Sequence, residues 1–255
     1  MMRHPADGKV HFSELKQHSR SPAHVRHACE HAREMTRPMT VGAIADCIVF
    51  GQRGFKIYPG KVRNGSEWER FKAMHEGQIL CIQSEYEDAA GAAAAVLADP
   101  VAQRLLDGCE FQRVMQWDAY GLPCAAGIGG ERGGFDAINV PKRYIADLKI
   151  TANAEPEALS KHALTMLWHA QGAWYCDGAQ ALCLDASRFY IIAVEATPPH
   201  PVTVLEVPAA VLDMGRRSIR MWAERHRACE QSGEWPGYVQ SEMELIVPPW
   251  MQVEE

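Results

Sequence analysis

At 255 residues, 47% of them hydrophobic, the chain has material for one large domain or two small ones with a substantial core. It holds no run near the roughly 20 apolar residues that span a bilayer. Residues 1–11 carry charges and a proline but no apolar stretch of a secretory signal, so the expectation is a soluble, cytoplasmic protein.

Distribution of charge says more than its total. The formal net charge is −6, yet residues 1–80 carry 13 Lys/Arg against 8 Asp/Glu, a net of +5, and the rest carries 13 against 24, a net of −11. A second basic run, Arg216, Arg217, Arg220, Arg225 and Arg227, lies near the C-terminus. Phosphate contacts need local rather than global positive charge, so DNA binding stays open beside the plainer alternative of two solvated helix faces. Eight cysteines (Cys29, Cys47, Cys81, Cys109, Cys124, Cys176, Cys183 and Cys229) form no C-x-x-C pair, which argues against a zinc ribbon or finger. Reduced, mostly buried thiols are the plain expectation; an iron–sulfur cluster built from distant cysteines is the alternative.

In chain order, Ser21-Pro22 followed by residues 23–34 predicts an N-capped helix with Pro at its first position. Residues 40–50 predict a short apolar helix, and the Gly- and charge-rich 51–65 a loop or edge. Ala-rich 85–98 predicts a helix, and Asp99-Pro100 restarts a short one ending near Gly108. Residues 111–117 alternate like a strand, whereas 121–134, with six glycines, predict a turn-rich connection. Residues 135–140 and 144–150 are β-type runs joined by Pro141-Lys142-Arg143, a meander. Residues 157–175 predict one long helix, 189–196 and 202–207 two more strands, and 209–231 a last helix before an irregular tail. The layout is α/β, one sheet covered by helices. A single domain over 1–255 is the simplest organisation: mainly helical to 108, a catalytic sheet and helix over 109–208, and a C-terminal helix and tail over 209–255.

The chemistry concentrates in Phe135-Asp136-Ala137-Ile138-Asn139-Val140 and Tyr144-Ile145-Ala146-Asp147-Leu148-Lys149-Ile150-Thr151. Asp147 and Lys149, two apart, share a face on a strand. A charged pair in an otherwise apolar strand is costly unless it is paired or holds a ligand. Asp136, on the preceding strand, can sit beside them across the hairpin. Carboxylate oxygens suit Mg²⁺, which polarises a phosphate and activates water; a lysine can orient or help deprotonate that water and offset developing charge. These parts suit phosphodiester hydrolysis, against the alternative of a salt-bridged pair at a sheet edge. Gln171 and Tyr175, four apart on the predicted helix, share a face and can reach the same site; otherwise Gln171 is a surface residue and Tyr175 a core aromatic. The His24, His27, His31 stripe has helical spacing, and an exposed, weakly basic face is its plainer reading.

Asp136, the Asp147-Leu148-Lys149 strand and the Gln171-to-Tyr175 helix resemble the PD-(D/E)XK nuclease superfamily. More narrowly, the chain resembles the RecE-like exodeoxyribonuclease VIII family, relatives of the phage-lambda-type exonucleases. Ser13-Glu14-Leu15-Lys16 and Ser21-Pro22-Ala23-His24 resemble that family's opening, and Pro38-Met39-Thr40-Val41-Gly42 its helix start. Asn64-Gly65-Ser66-Glu67-Trp68 with Phe71-Lys72 resembles its middle linker, residues 110–118 its strand that opens with a Glu, and Asp147-Leu148-Lys149-Ile150-Thr151 its D-L-K-T-T. The similarity spans roughly residues 12–178.

The resemblance implies a restriction-endonuclease-like core of a mixed sheet flanked by helices. It implies a 5′-to-3′ exonuclease acting on double-stranded DNA ends with Mg²⁺, or Mn²⁺, in phage-type recombination within a bacterial or phage-infected cell. Ring-shaped homo-oligomers and a single-strand annealing protein as partner follow from it too. By the same resemblance Asp136 and Asp147 hold metal with Asp46 and Glu110 assisting, Lys149 acts on the water, and Gln171 and Tyr175 support the site; a plain surface charge is the alternative for Glu110, and a solvated residue for Asp46. Two features depart from the family pattern. Asp46 stands where the family has a metal-holding His, and the glycine-rich run 125–134, with Arg132 its only base, replaces a shorter basic stretch. The alternatives are a single-strand-specific or endonucleolytic enzyme on the same core, and a DNA-end-binding protein with a degenerate site. The Asp46 departure favours the last; the joint presence of Asp136, Asp147, Lys149, Gln171 and Tyr175 argues against it.

Overall fold

The strand Arg188–Glu195 buries Phe189, Ile191 and Ala193 against one hydrophobic cluster and Ile192 and Val194 against another. Near-continuous apolar character of this kind marks a strand covered on both faces. The computed structural model describes residues 7–31, 35–51, 54–127, 134–239, 241–247 and 251. In chain order its elements are β1 (Val10–His11), α1 (Phe12–Leu15), a 3₁₀ turn (Lys16–Ser19), α2 (Pro22–Glu30), α3 (Arg37–Phe50), β2 (Phe55–Tyr58), α4 (Gly65–Met74), β3 (Ile79–Ile82), α5 (Gln83–Ala98) and α6 (Pro100–Leu106). There follow β4 (Glu110–Arg113), β5 (Met115–Ala119), β6 (Leu122–Ala126), β7 (Phe135–Asn139), β8 (Tyr144–Thr151), α7 (Pro156–Thr165), α8 (Trp168–Ala181), β9 (Arg188–Glu195), β10 (Val202–Val207) and α9 (Ala209–Ser232).

The main sheet has five strands in the order β10-β9-β8-β7-β4. β8 and β9 run parallel, linked by the α7–α8 crossover, and the other neighbours are antiparallel. One face packs on α8, which α9 backs; the other packs on α3, α5 and α6. The expected mixed α/β architecture is present, with two further small sheets, β1-β6-β5 and β2-β3.

Close approach of α9 fixes α8 on the sheet. A Cβ at Gly215 of α9 would lie 2.7 Å from Ala170 Cα and 2.8 Å from the His169 carbonyl oxygen, and one at Gly172 of α8 would lie 2.4 Å from the Phe189 ring. Only glycine permits backbone-to-backbone contact at that range. The helix carrying Gln171 and Tyr175 is thereby pressed onto β9, in the sheet that also carries Asp136 and Asp147.

Three expectations are corrected here. The run 111–117 divides at Val114: β4 joins the main sheet, while β5 pairs with β6 in another. The glycine-rich connection contains β6, whose Leu122, Cys124 and Ala126 are buried; residues 128–133, with Gly129, Gly130, Arg132 and Gly133, lie outside the described residues. The predicted long helix breaks between α7 and α8, where Leu167 takes φ 62°, a left-handed conformation costing a non-glycine residue roughly 1–2 kcal/mol. Among the described residues no helix is long and apolar enough to cross a membrane.

Candidate active site

β7 and β8 pair at Asn139↔Tyr144, Ile138↔Ile145 and Ala137↔Ala146, and the ladder stops there. Beyond it the Leu148 N–H donates to Oδ2 of Asp136 at 2.9 Å. The strands part, and a cleft of about 330 Å³ opens at the gap. Asp46, Asp136, Asp147, Lys149, Gln171 and Tyr175 all line it. Strands β7 and β8, helix α8 and, through Asp46, helix α3 meet at this point.

Asp147 is 2% exposed and ion-pairs with Lys149 on the same face of β8. Its Oδ1 lies 3.5 Å from the Gln171 amide nitrogen, which donates to the Tyr175 hydroxyl at 2.9 Å. Burial, then the neighbouring Asp147 and Asp46 carboxylates, push the Asp136 pKa well up. Burial pulls the Lys149 ammonium down, but Asp147 and Asp136 more than offset it and its pKa is raised. The Lys149 ammonium also sits 5.7 Å from the Trp168 ring centroid, within cation–π range. Tyr175 is held protonated by burial and then by Asp147 and Asp136.

Glu110 does not reach the cleft. It is exposed on edge strand β4, opposite Ile138, and pairs with Arg113 at 2.8 Å. Gln112 is the β4 residue that meets the site: its amide donates to Asp136 Oδ1 at 3.1 Å. Its φ of 51° kinks the strand and breaks the alternation from which a sequence reading works. His24, His27 and His31 lie on α2 and its end, away from the cleft, with His27 and His31 stacked at 4.3 Å.

The opposite wall was not expected. His11, Phe12, Ser13 and Lys16 line the cleft from β1, α1 and the 3₁₀ turn, held there by parallel pairing of Val10 and His11 with Cys124 and Ala125. The only sequence signal for it is the Ser13-Glu14-Leu15-Lys16 motif. The lining of the cleft thus joins the acids to the Ser13 hydroxyl, the Lys16 ammonium and a His11 imidazole paired with Asp7 at 3.0 Å.

The donor set fits a hard divalent cation. The carboxylates crowd one another: burial first, then Asp147 and Asp46, raise the Asp136 pKa, and a cation relieves such crowding. Among the described residues no group of three or more His, Cys, Asp or Glu side chains is already set to hold a metal. Mg²⁺ does not require one: it commonly takes one or two carboxylates and completes its shell with water and phosphate oxygens.

The sequence matches the family model of a PDDEXK-like domain of unknown function (DUF3799) over residues 11–245. No curated protein matches the chain. Among solved structures, the chain is similar to a protein of Eubacterium rectale described as a candidate exonuclease, with a TM-score of 0.65 at 12% identity, over 93% of this chain and 90% of that one. At that identity the likeness speaks for the fold.

Proposed function

Because the chain belongs to the PDDEXK-like family (DUF3799), within the PD-(D/E)XK nuclease superfamily, we propose that it is a divalent-metal-dependent deoxyribonuclease acting in the Asp46, Asp136, Asp147 and Lys149 cleft. One observation carries this reading: carboxylates from three separate elements, α3, β7 and β8, converge with the β8 lysine where the β7–β8 ladder opens. Asp136 and Asp147, with Asp46 assisting, would hold the cation. A bound divalent ion would polarise the scissile phosphate and acidify a water. Lys149 is placed to orient that water and to offset charge on the phosphate oxygens. Gln171 holds Asp147 and Tyr175 in one hydrogen-bonded line. Ser13 and Lys16 face the same space and suit a phosphate's oxygens.

The finer reading is a 5′-to-3′ exonuclease on double-stranded ends. It would work in the cytoplasm as a ring-shaped homo-oligomer that hands its product to a single-strand annealing protein in phage-type recombination. The RecE-like motifs over residues 12–178 support it, and so does the description of the Eubacterium rectale protein as a candidate exonuclease. Digestion of linear, nicked and covalently closed duplex DNA against Mg²⁺ and Mn²⁺ tests both levels. Loss of linear DNA with the closed circle intact is the expected result. Cutting of the circle would replace the exonuclease reading with an endonuclease, and no cutting with either metal would overturn the nuclease.

A further inference from the structure

A second cavity, about 510 Å³, shares no lining residue with the acidic cleft. Arg20 and Ser21 wall it on one side, Arg225 and Ser232 of α9 on another, and the segment from Glu234 to Tyr238 closes it. The 3₁₀ turn Lys16–Ser19 connects the two places: Lys16 lines the cleft, and Arg20 follows the turn into the groove. At roughly 2 Å of rise per residue, Lys16 and Arg20 are about 8 Å apart along that turn. That is the span of two to three stacked nucleotides at about 3.4 Å each.

The groove has the components that a polynucleotide strand engages. Arg20 is exposed and enters no ion pair among the described residues. Arg225 donates one N–H to the His18 carbonyl at 3.2 Å, which fixes its guanidinium and leaves other N–H groups for an anion. Tyr238 is 70% exposed and leans on His24 at 5.5 Å. Its segment is tied to α2 by the Ala23 N–H, which donates to the Pro236 carbonyl at 3.0 Å. Among the described residues of the wall, two guanidiniums outweigh one acid, Glu234. Cations along a groove with an exposed aromatic ring beside them form the usual platform for single strands: the cations track phosphates and the ring stacks on a base.

We infer that this groove is a single-stranded DNA subsite, holding the strand next to the acidic cleft through Arg20 and Arg225 on its phosphates and Tyr238 on a base. The inference rests on the nuclease reading. The test is binding of a labelled single strand of about 16 nucleotides, and of the matching blunt duplex, in Ca²⁺ without Mg²⁺, over a salt series. Parent, Arg20→Gln, Tyr238→Ala and Tyr238→Phe are compared. Arg20→Gln is expected to flatten the slope of log affinity against log salt by about 0.7. Tyr238→Ala is expected to weaken binding about fivefold or more, with Tyr238→Phe close to parent. Hydrolysis of bis(p-nitrophenyl) phosphate, too small to span cleft and groove, should be equal in all four. A parent that cuts DNA, with a parental slope in Arg20→Gln and parental affinity in Tyr238→Ala, overturns the groove and leaves the nuclease standing. Weakening confined to duplex DNA overturns the single-strand assignment. A parent that neither binds nor cuts DNA overturns both readings.

Discussion

Oδ2 of Asp136 accepts the backbone N–H of Leu148 at 2.9 Å, just past the last hairpin rung at Ala137↔Ala146. A side-chain carboxylate thus satisfies a strand donor that a β7 carbonyl would otherwise take, and the hairpin opens into a cleft there. The same carboxyl lies half-buried beside Asp147 and Asp46, and burial, then those two charges, raise its pKa. Asn at this position keeps an acceptor for Leu148 and removes the charge. Asp136→Asn is therefore expected to melt no lower than the parent in EDTA, to gain nothing from Mg²⁺, and to lose about 100-fold or more of DNA digestion. Thermal scans with and without Mg²⁺ check this. A variant that gains the parent's full increment from Mg²⁺ would remove Asp136 from the metal site.

Asp147 and Lys149 form a pair whose side chains are only 3% and 18% exposed. Removing one partner of a buried pair typically costs about 3–5 kcal/mol, because the other charge stays in place without compensation. Lys149→Ala should fall in that range in EDTA and recover part of it in Mg²⁺, with slow turnover. Asp147→Asn should cost less, lose the Mg²⁺ stabilisation and abolish digestion, since an amide is a poor Mg²⁺ ligand. Denaturant titrations of the three proteins in EDTA and in Mg²⁺ read these differences. Recovery of Lys149→Ala by nothing at all would argue that Asp147 meets no cation.

The side chain of Glu110 is 61% exposed and pairs with Arg113, an arrangement worth about 0–1 kcal/mol. Glu110→Ala should digest DNA as the parent does. Gln112→Ala removes the amide donor to Asp136; it should cost about 1 kcal/mol and raise the Mg²⁺ concentration for half-maximal cutting about tenfold, as loss of a group that orients a ligand does. A Glu110→Ala protein that needs more metal than the parent would restore Glu110 to the site.

Physical conflict explains which parts of the site are legible in sequence. Asp147 and Lys149 stand out from Y-I-A-D-L-K-I-T because charge in an apolar strand demands a reason, and Gln171 and Tyr175 align by helical spacing alone. Glu110 comes from the resemblance, with a surface charge as its alternative; it stands exposed, and the kink at Gln112 supplies the β4 contact with Asp136. The His11, Ser13 and Lys16 wall has no periodicity to detect. It hangs on a two-residue strand whose partner, β6, lies more than a hundred positions away and is flanked by glycines. Leu167 likewise carries no breaker signal, yet it takes the left-handed turn between α7 and α8.

His18 and His226 meet Nε2 to Nδ1 at 3.3 Å and are 1% and 0% exposed. Burial first, then His226 and Arg225, lower the His18 pKa from 6.5 to about 3. Between those values the unfolded chain binds a proton that the folded chain refuses. Stability from this group is fully present above pH 6.5 and falls as the pH drops below it, by at most about 1.4 kcal/mol per pH unit. His18→Gln, which cannot titrate, should show a shallower decline of unfolding free energy on acidification. Urea titrations across that range check it, and an identical decline in parent and variant would place the acid sensitivity elsewhere.

Asp46 lines the cleft from α3, a helix whose Val41, Ile44, Ala45 and Phe50 are buried. Its carboxylate contributes to raising the pKa values of Asp136, Lys149 and Tyr175, so its charge is felt across the whole site. A third acid so close to two others is tolerable with a cation among them, and without one it destabilises. Two consequences follow with opposite signs. In EDTA, Asp46→Ala should relieve repulsion and melt slightly higher than the parent. In Mg²⁺, it should need about tenfold more metal, or beyond, for half-maximal cutting. Asp46→His, which returns a neutral ligand to this turn, should recover part of the metal affinity while keeping the EDTA gain. The decisive measurement is cutting rate against metal concentration for parent, Asp46→Ala and Asp46→His. Superimposable curves for the parent and Asp46→Ala would mean that Asp46 lines the cleft without meeting the ion.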